Sequence, residues 1–165
     1  MRVLIAIDDS MASEAAINQV ISQMKTKEAE IRLVHILDPY PTRLAKQIGS
    51  RDTPNFVAAV QKQREIARDL LERVTQILRA AGFSVSASTQ EGDVHALIIE
   101  EAKAWHADLI VLGSHDRRSI WRFFSGSISE DVTRDAPCSV QVVRVSPWVR
   151  RDSILNRHEC TSDAA

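Results

Sequence analysis

Cysteine, excess charge and long hydrophobic runs are all scarce in this chain of 165 residues, and each shortage excludes something. The two cysteines, Cys138 and Cys160, stand at the start of an apolar run and in a polar tail. That is neither a disulfide framework nor a metal spacing, and they read as a core thiol and a solvent thiol. Lys and Arg number 21 against 22 Asp and Glu, a formal net charge of −1. No overall field therefore favours nucleic acid or an anionic membrane as partner, and any anion site must be local. The N-terminal apolar run from Val3 to Ile7 meets Asp8-Asp9 at once. It is too short for a signal segment or a membrane span, so the expected location is cytoplasmic. No group of His, Cys or carboxylates has the spacing of a metal site, and a Walker lysine is missing, so fast phosphoryl transfer lacks its usual equipment.

What is present is an ordinary globular composition, 44% hydrophobic and 26% charged, in a chain of single-domain size. Arg2 to Ile7 is apolar after Arg2 and β-branched, as a strand covered on both faces would be. Ser10 offers an N-cap to an amphipathic helix from about Met11 to Lys25. Ile31 to Leu37 reads as a second strand, ended by Asp38-Pro39-Tyr40-Pro41. An irregular insert follows from Thr42 to Thr53, with one helical turn expected around Leu44 to Ile48. A long helix begins near Asn55, with Ala67, Leu70, Leu71, Val74, Ile77 and Leu78 on one face and Gly82 as its stop. Phe83 to Thr89 is the third strand, Gly92-Asp93 turns and caps a helix marked by Val94, Leu97, Ile98, Ala102 and Trp105, and Asp108 to Leu112 is the fourth strand. Strands alternating with helices predict an α/β fold with a five-stranded, mostly parallel sheet between two helical layers. Residues 1–145 form the expected domain, and 146–165 a C-terminal tail whose last part is expected to be disordered.

The stretch from Asp108 to Arg144 carries the functional signal. A strand ends at Gly113-Ser114, which open a loop, and Gly126-Ser127 start a helix. Pro137 stops that helix, and Ser139 to Val145 forms the last strand. Glycine lets a backbone approach a ligand, and the first helical N–H groups have no partner of their own, so the stretch can seat phosphates. Asp108 to His115, Gly126 to Glu130 and Ala136 to Arg144 resemble the closing segment of the universal stress protein family, and Val3 to Ser10 resembles its first strand and Asp-x-Ser turn. The resemblance covers nearly the whole chain up to Val145. It implies a Rossmann-like fold of strand order 3-2-1-4-5 and an adenine nucleotide, ATP or AMP, bound outside the carboxyl ends of the strands, with Mg2+ only if the nucleotide carries it. In nucleotide-binding members the loop has three glycines. Here Gly113 and Gly126 are present, but Asp116 stands where the second belongs.

The resemblance nominates Ala6, Asp8, Ile36, Gly113, Asp116, Gly126, Ser127 and Ile128 as nucleotide-binding. Each has a plainer reading. Asp8 can accept from a ribose hydroxyl or adenine amine, or can be a turn carboxylate satisfying backbone N–H groups. Ala6 and Ile36 are core residues first. Ser127 to Glu130 is also a capping box. Arg117, Arg118 and Arg122 either clasp a polyphosphate or form a solvated basic loop, and Trp121, Phe123 and Phe124 serve as anchors or as part of a subunit contact. Ser114-His115-Asp116 cannot be a triad, because adjacent side chains point apart. His35 reads as a satisfied core histidine, His95 and His106 as surface helix residues.

The resulting expectation is an adenine-nucleotide-binding regulatory module, at most a slow ATPase, that forms a homodimer through Ser139 to Val145. The alternative is a dimeric protein-interaction scaffold that binds no nucleotide. An ATP-pyrophosphatase would need a Ser-Gly-Gly-x-Asp-Ser loop where this chain reads Asp8-Asp9-Ser10-Met11.

Overall fold

The structure, a computed structural model, describes residues 1–26, 28–37, 54–114 and 128–145, the side chains of 54–56 excepted. The expected insert around Leu44 to Ile48, the arginine and aromatic residues of the loop after Ser114, and the tail with Cys160 lie outside them. The elements run β1 (Arg2–Ala6), α1 (Met11–Gln23), β2 (Glu30–Leu37), α2 (Pro54–Ala80), β3 (Ser84–Glu91), α3 (Val94–Ala104), β4 (Leu109–Ser114), α4 (Ile128–Asp135) and β5 (Ser139–Arg144). The five strands form one sheet of order β3-β2-β1-β4-β5, the order expected. Every neighbouring pair is parallel, so the sheet is wholly rather than mostly parallel.

Side chains alternate across a strand, and the core accordingly divides into two layers. Val3, Ile5, Leu33 and Val111 pack with Ile17 and Val20 of α1 and Leu70, Val74 and Leu78 of α2. Leu4, Val34, Ile110 and Leu112 pack on the other face with Ile98 and Ala102 of α3 and Val132 of α4. Covering both faces is what makes β1 and β4 apolar over most of their length, whereas the edge strand β3 buries only Val85. Arg32 helps fix α3 to its face, donating to Glu101 at 2.7 Å and lying 4.6 Å from the centre of the Trp105 ring.

Caps explain the helix limits. Ser10 and Asp93 accept from the N–H groups of Ser13 and Ala96, each three residues on. Pro54 opens α2, where its missing N–H has no cost. Gly82 follows α2 at φ 95°, a left-handed position that suits glycine. The corresponding turn after α3 uses His106 at φ 54°, so His106 terminates a helix rather than continuing it. The 27 residues of α2 span about 40 Å. Residues 57–66 contain no buried position, and burial begins at Ala67. The amino-terminal turns thus pass the sheet's carboxyl end, where Arg64 pairs with Glu91, the last residue of β3, at 2.7 Å.

Candidate functional site

In a parallel sheet the crevice outside the carboxyl ends opens where neighbouring strands send their connections to opposite faces. Here β1 lies between β2 and β4, with α1 and α2 on one face and α3 and α4 on the other, so the opening falls between β1 and β4. Two clefts of about 360 and 380 Å3 lie elsewhere, one between α2 and β3 and one at the amino ends of the strands.

Beyond β1 the backbone is pinned on both sides. Ile7 donates its N–H to the Val34 carbonyl at 2.9 Å, and His35 Nδ1–H donates to the Ile7 carbonyl at 2.8 Å. His35 is therefore a satisfied structural histidine, as its apolar strand suggests. Asp8 follows, exposed, and its carboxylate is held by hydroxyls rather than by backbone N–H groups. Ser10 Oγ and Ser13 Oγ both donate to Asp8 Oδ1, the latter at 2.5 Å. The backbone N–H groups go to the hydroxyls instead: Asp8 N–H donates to Ser13 Oγ at 2.8 Å and Ser13 N–H to Ser10 Oγ at 3.2 Å. Asp8 Oδ2 takes no hydrogen bond from any described residue.

Ala6 and Ile36 are both half-buried and pack against the layer that holds α3 and α4. Ala6 pairs with Val34, two residues before Ile36, so the two apolar candidates sit on one face at one end of the sheet. Ile128, 42% exposed, begins α4 on that same face.

Gly113 is placed differently from expectation. With Ser114 it belongs to β4, paired with Val143 and Arg144, and does not open a loop. It faces the other layer: a Cβ there would stand 2.3 Å from the carbonyl carbon and oxygen of Ala12 and 2.7 Å from the Ser13 nitrogen. The missing side chain admits the first turn of α1 against β4, which is a packing reason independent of any phosphate. Asp8 and Gly113 meet through that turn. Asp116, Gly126 and Ser127 lie outside the described residues.

Two further side chains lie on the face of the sheet that carries α3 and α4, Cys138 at the amino end of β5 and so away from the crevice. His95 Nε2 lies 3.0 Å from Asp135 Oδ2, tying the start of α3 to the end of α4, close enough for an ion pair when protonated although not aligned as a hydrogen bond. Cys138 is half-buried, and burial, then the Asp108 charge, push its thiol up from the ordinary value. No group of three or more His, Cys, Asp or Glu among the described residues can hold a metal ion. The residue that sequence reasoning missed is Ser13. Its only signal is a serine three residues past the N-cap Ser10.

Residues 1–144 match the model of the Universal stress protein family. A protein of Staphylococcus haemolyticus (strain JCSC1435) named for that family is 30% identical over 144 residues, 86% of this chain and 83% of the relative. Among solved structures, the hypothetical protein MJ0577 is similar with a TM-score of 0.73 and 24% identity, over 88% of this chain and 96% of that one. A universal stress protein family protein of Arabidopsis thaliana, solved with AMP bound, has a TM-score of 0.66 and 18% identity, over 89% of this chain and 93% of that one.

Proposed function

The chain belongs to the universal stress protein family, and from that premise we propose that it is an adenine-nucleotide-binding regulatory module of the stress response, taking ATP or AMP weakly or conditionally. The observation that carries this reading is the Asp8 carboxylate, exposed beside the opening between β1 and β4 with Oδ2 available to a ligand donor. Ala6 and Ile36 offer apolar surface for a base on the same side of the sheet. The AMP held by the Arabidopsis protein of the same fold supports the choice of ligand. By the family resemblance of their sequence, Gly113, Asp116, Gly126, Ser127 and Ile128 are the proposed phosphate-side residues, and Mg2+ enters only with the nucleotide. Binding rather than turnover is the function, with slow ATP hydrolysis as its upper limit.

The test begins with the purified protein, denatured and chromatographed for released nucleotide, followed by calorimetric titration with ATP and AMP. Gly126→Val is expected to abolish binding while circular dichroism stays that of the wild type, because a β-branched side chain blocks backbone approach at a helix N-terminus. Unchanged affinity in a folded variant would put the phosphates elsewhere.

One observation favours a second reading, a homodimeric scaffold of the same family without nucleotide. Gly113 is accounted for by α1 packing alone, so its presence no longer argues for phosphate. No released nucleotide and no heat of titration would favour that reading. Homodimerisation through β5 belongs to both readings, since among the described residues β5 pairs only with β4 and its outer edge is a template for another strand.

A further inference from the structure

Ser13 lies on the first turn of α1 and is 4% exposed, one of the few buried polar side chains among the described residues. Its hydroxyl has one proton and two acceptor lone pairs. The proton goes to Asp8 Oδ1 at 2.5 Å, and a lone pair accepts the Asp8 N–H at 2.8 Å. Ser13 thus grips Asp8 at both backbone and side chain. Ser10 closes the ring, its Oγ donating to the same Oδ1 while accepting the Ser13 N–H. Two hydroxyl donors converge on Oδ1 and none of the described residues donates to Oδ2, so the exposed carboxylate has one oxygen engaged and the other with acceptor capacity to spare. Without the Ser13 hydroxyl, Asp8 N–H would lose its acceptor and the carboxylate would be held by Ser10 alone, one donor where there are now two.

Resting on the nucleotide reading above, we propose that Ser13 is the positioning residue of the site, orienting Asp8 so that Oδ2 receives one O–H or N–H donor of the bound nucleoside. The chemistry selects the ligand class. An ionised carboxylate only accepts, so the ligand must bring the proton, from a ribose hydroxyl or from the adenine amine. A group that lacks that donor leaves a desolvated carboxylate oxygen facing it and forfeits a charge-assisted hydrogen bond. Preorganisation by Ser13 adds selectivity without touching the ligand, since less ordering is left for the moment of binding.

The experiment titrates ATP, 2′-deoxy-ATP, 3′-deoxy-ATP and inosine triphosphate into the full chain and into Asp8→Ala, Ser13→Ala and Ser13→Cys. The cysteine variant keeps the volume and weakens the donor, and thermal melts establish that each variant is folded. Wild type is expected to bind one analogue at least tenfold more weakly than ATP, identifying the donor. Asp8→Ala should lose that discrimination, and both Ser13 variants should shrink it at least threefold while weakening ATP itself. A merely structural role for Ser13 would lower affinity for all four ligands equally, and that result overturns the inference. So does wild-type discrimination retained in folded Ser13 variants, or a wild type that binds all four alike. A wild type that binds none of them defeats the nucleotide reading itself, which is a distinguishable outcome.

Discussion

Gly113 shows how one missing atom group can be required by packing. The position a Cβ would take, 2.3 Å from two backbone atoms of Ala12, cannot be relieved by rotating a side chain; α1 would have to move off β4. We expect Gly113→Ala to cost about 3 kcal/mol, at the upper end of overpacking effects, and to lower Tm by on the order of 10 °C. A melting curve within 2–3 °C of wild type would remove that account of the glycine. Thr75 presents the opposite case. Its hydroxyl is buried between α2 and the sheet with no hydrogen-bond partner among the described residues, so it bears a desolvation cost and returns little. Thr75→Val keeps the shape and is expected to raise stability by about 1 kcal/mol, read as a higher urea midpoint at unchanged slope. At this scale the sequence was informative about kind and weak about reason. An aspartate ending an apolar run marks the end of β1, and a histidine inside one implies an internal partner. That Ser13 holds Asp8 depends on how the turn between β1 and α1 closes, and nothing in residue type distinguishes it from a solvated serine.

Elements were more legible than their ends. Apolar runs containing β-branched residues mark β1 and β4 because both faces are covered, and the spacing of Leu70, Leu71, Val74 and Leu78 marks α2. The ends are set by partners. β4 runs on to Ser114 because Gly113 and Ser114 find Val143 and Arg144 opposite, a tertiary fact that turns a local loop signal into strand. α1 stops at Gln23, short of the expected Lys25, with the Met24 N–H donating to the Val20 carbonyl. The edge element β5 carries a prediction of its own. Val142 is 38% exposed on a strand whose outer side has no neighbour among the described residues, and soluble proteins cover such edges. If a second copy covers it, Val142→Glu places like charges across the two-fold axis and desolvates them. We expect the variant to raise the dimer dissociation constant at least tenfold in sedimentation or light scattering, with its circular dichroism spectrum unchanged. A wild type that scatters as a monomer at high concentration would instead leave β5 as a solvent edge.

The whole molecule follows from the alternation of strands and helices, since right-handed crossovers confine five parallel strands to few arrangements and the family resemblance selects order 3-2-1-4-5. The sheet in turn locates the candidate site at its carboxyl end. It brings Ala6, Asp8 and Ile36 to that end, with Ile128 at the start of α4, and sets Gly113 behind them against α1. On the proposed nucleotide reading, the strength of binding turns on Asp116, which stands in the sequence where nucleotide-binding members of the family have a second glycine. Two effects act in the same direction. An aspartate in a loop built on glycine conformations costs on the order of 1 kcal/mol, although aspartate tolerates the left-handed region better than most residues. A carboxylate near phosphate adds roughly 1–4 kcal/mol of repulsion, depending on how much water stands between them. Arg117, Arg118 and Arg122 follow closely in the sequence and can offset much of the second contribution by pairing with either partner. The net expectation is weakened rather than abolished binding. Asp116→Gly should therefore bind ATP about five- to tenfold more tightly at low salt, and the advantage should shrink as rising ionic strength screens the carboxylate. Calorimetric titration of both proteins at two salt concentrations reads this directly. A salt-independent gain would assign the effect to backbone conformation alone, equal tight binding would mean that the Asp116 side chain points away from the phosphates, and no binding by either protein would leave the nucleotide-free scaffold as the function of this chain.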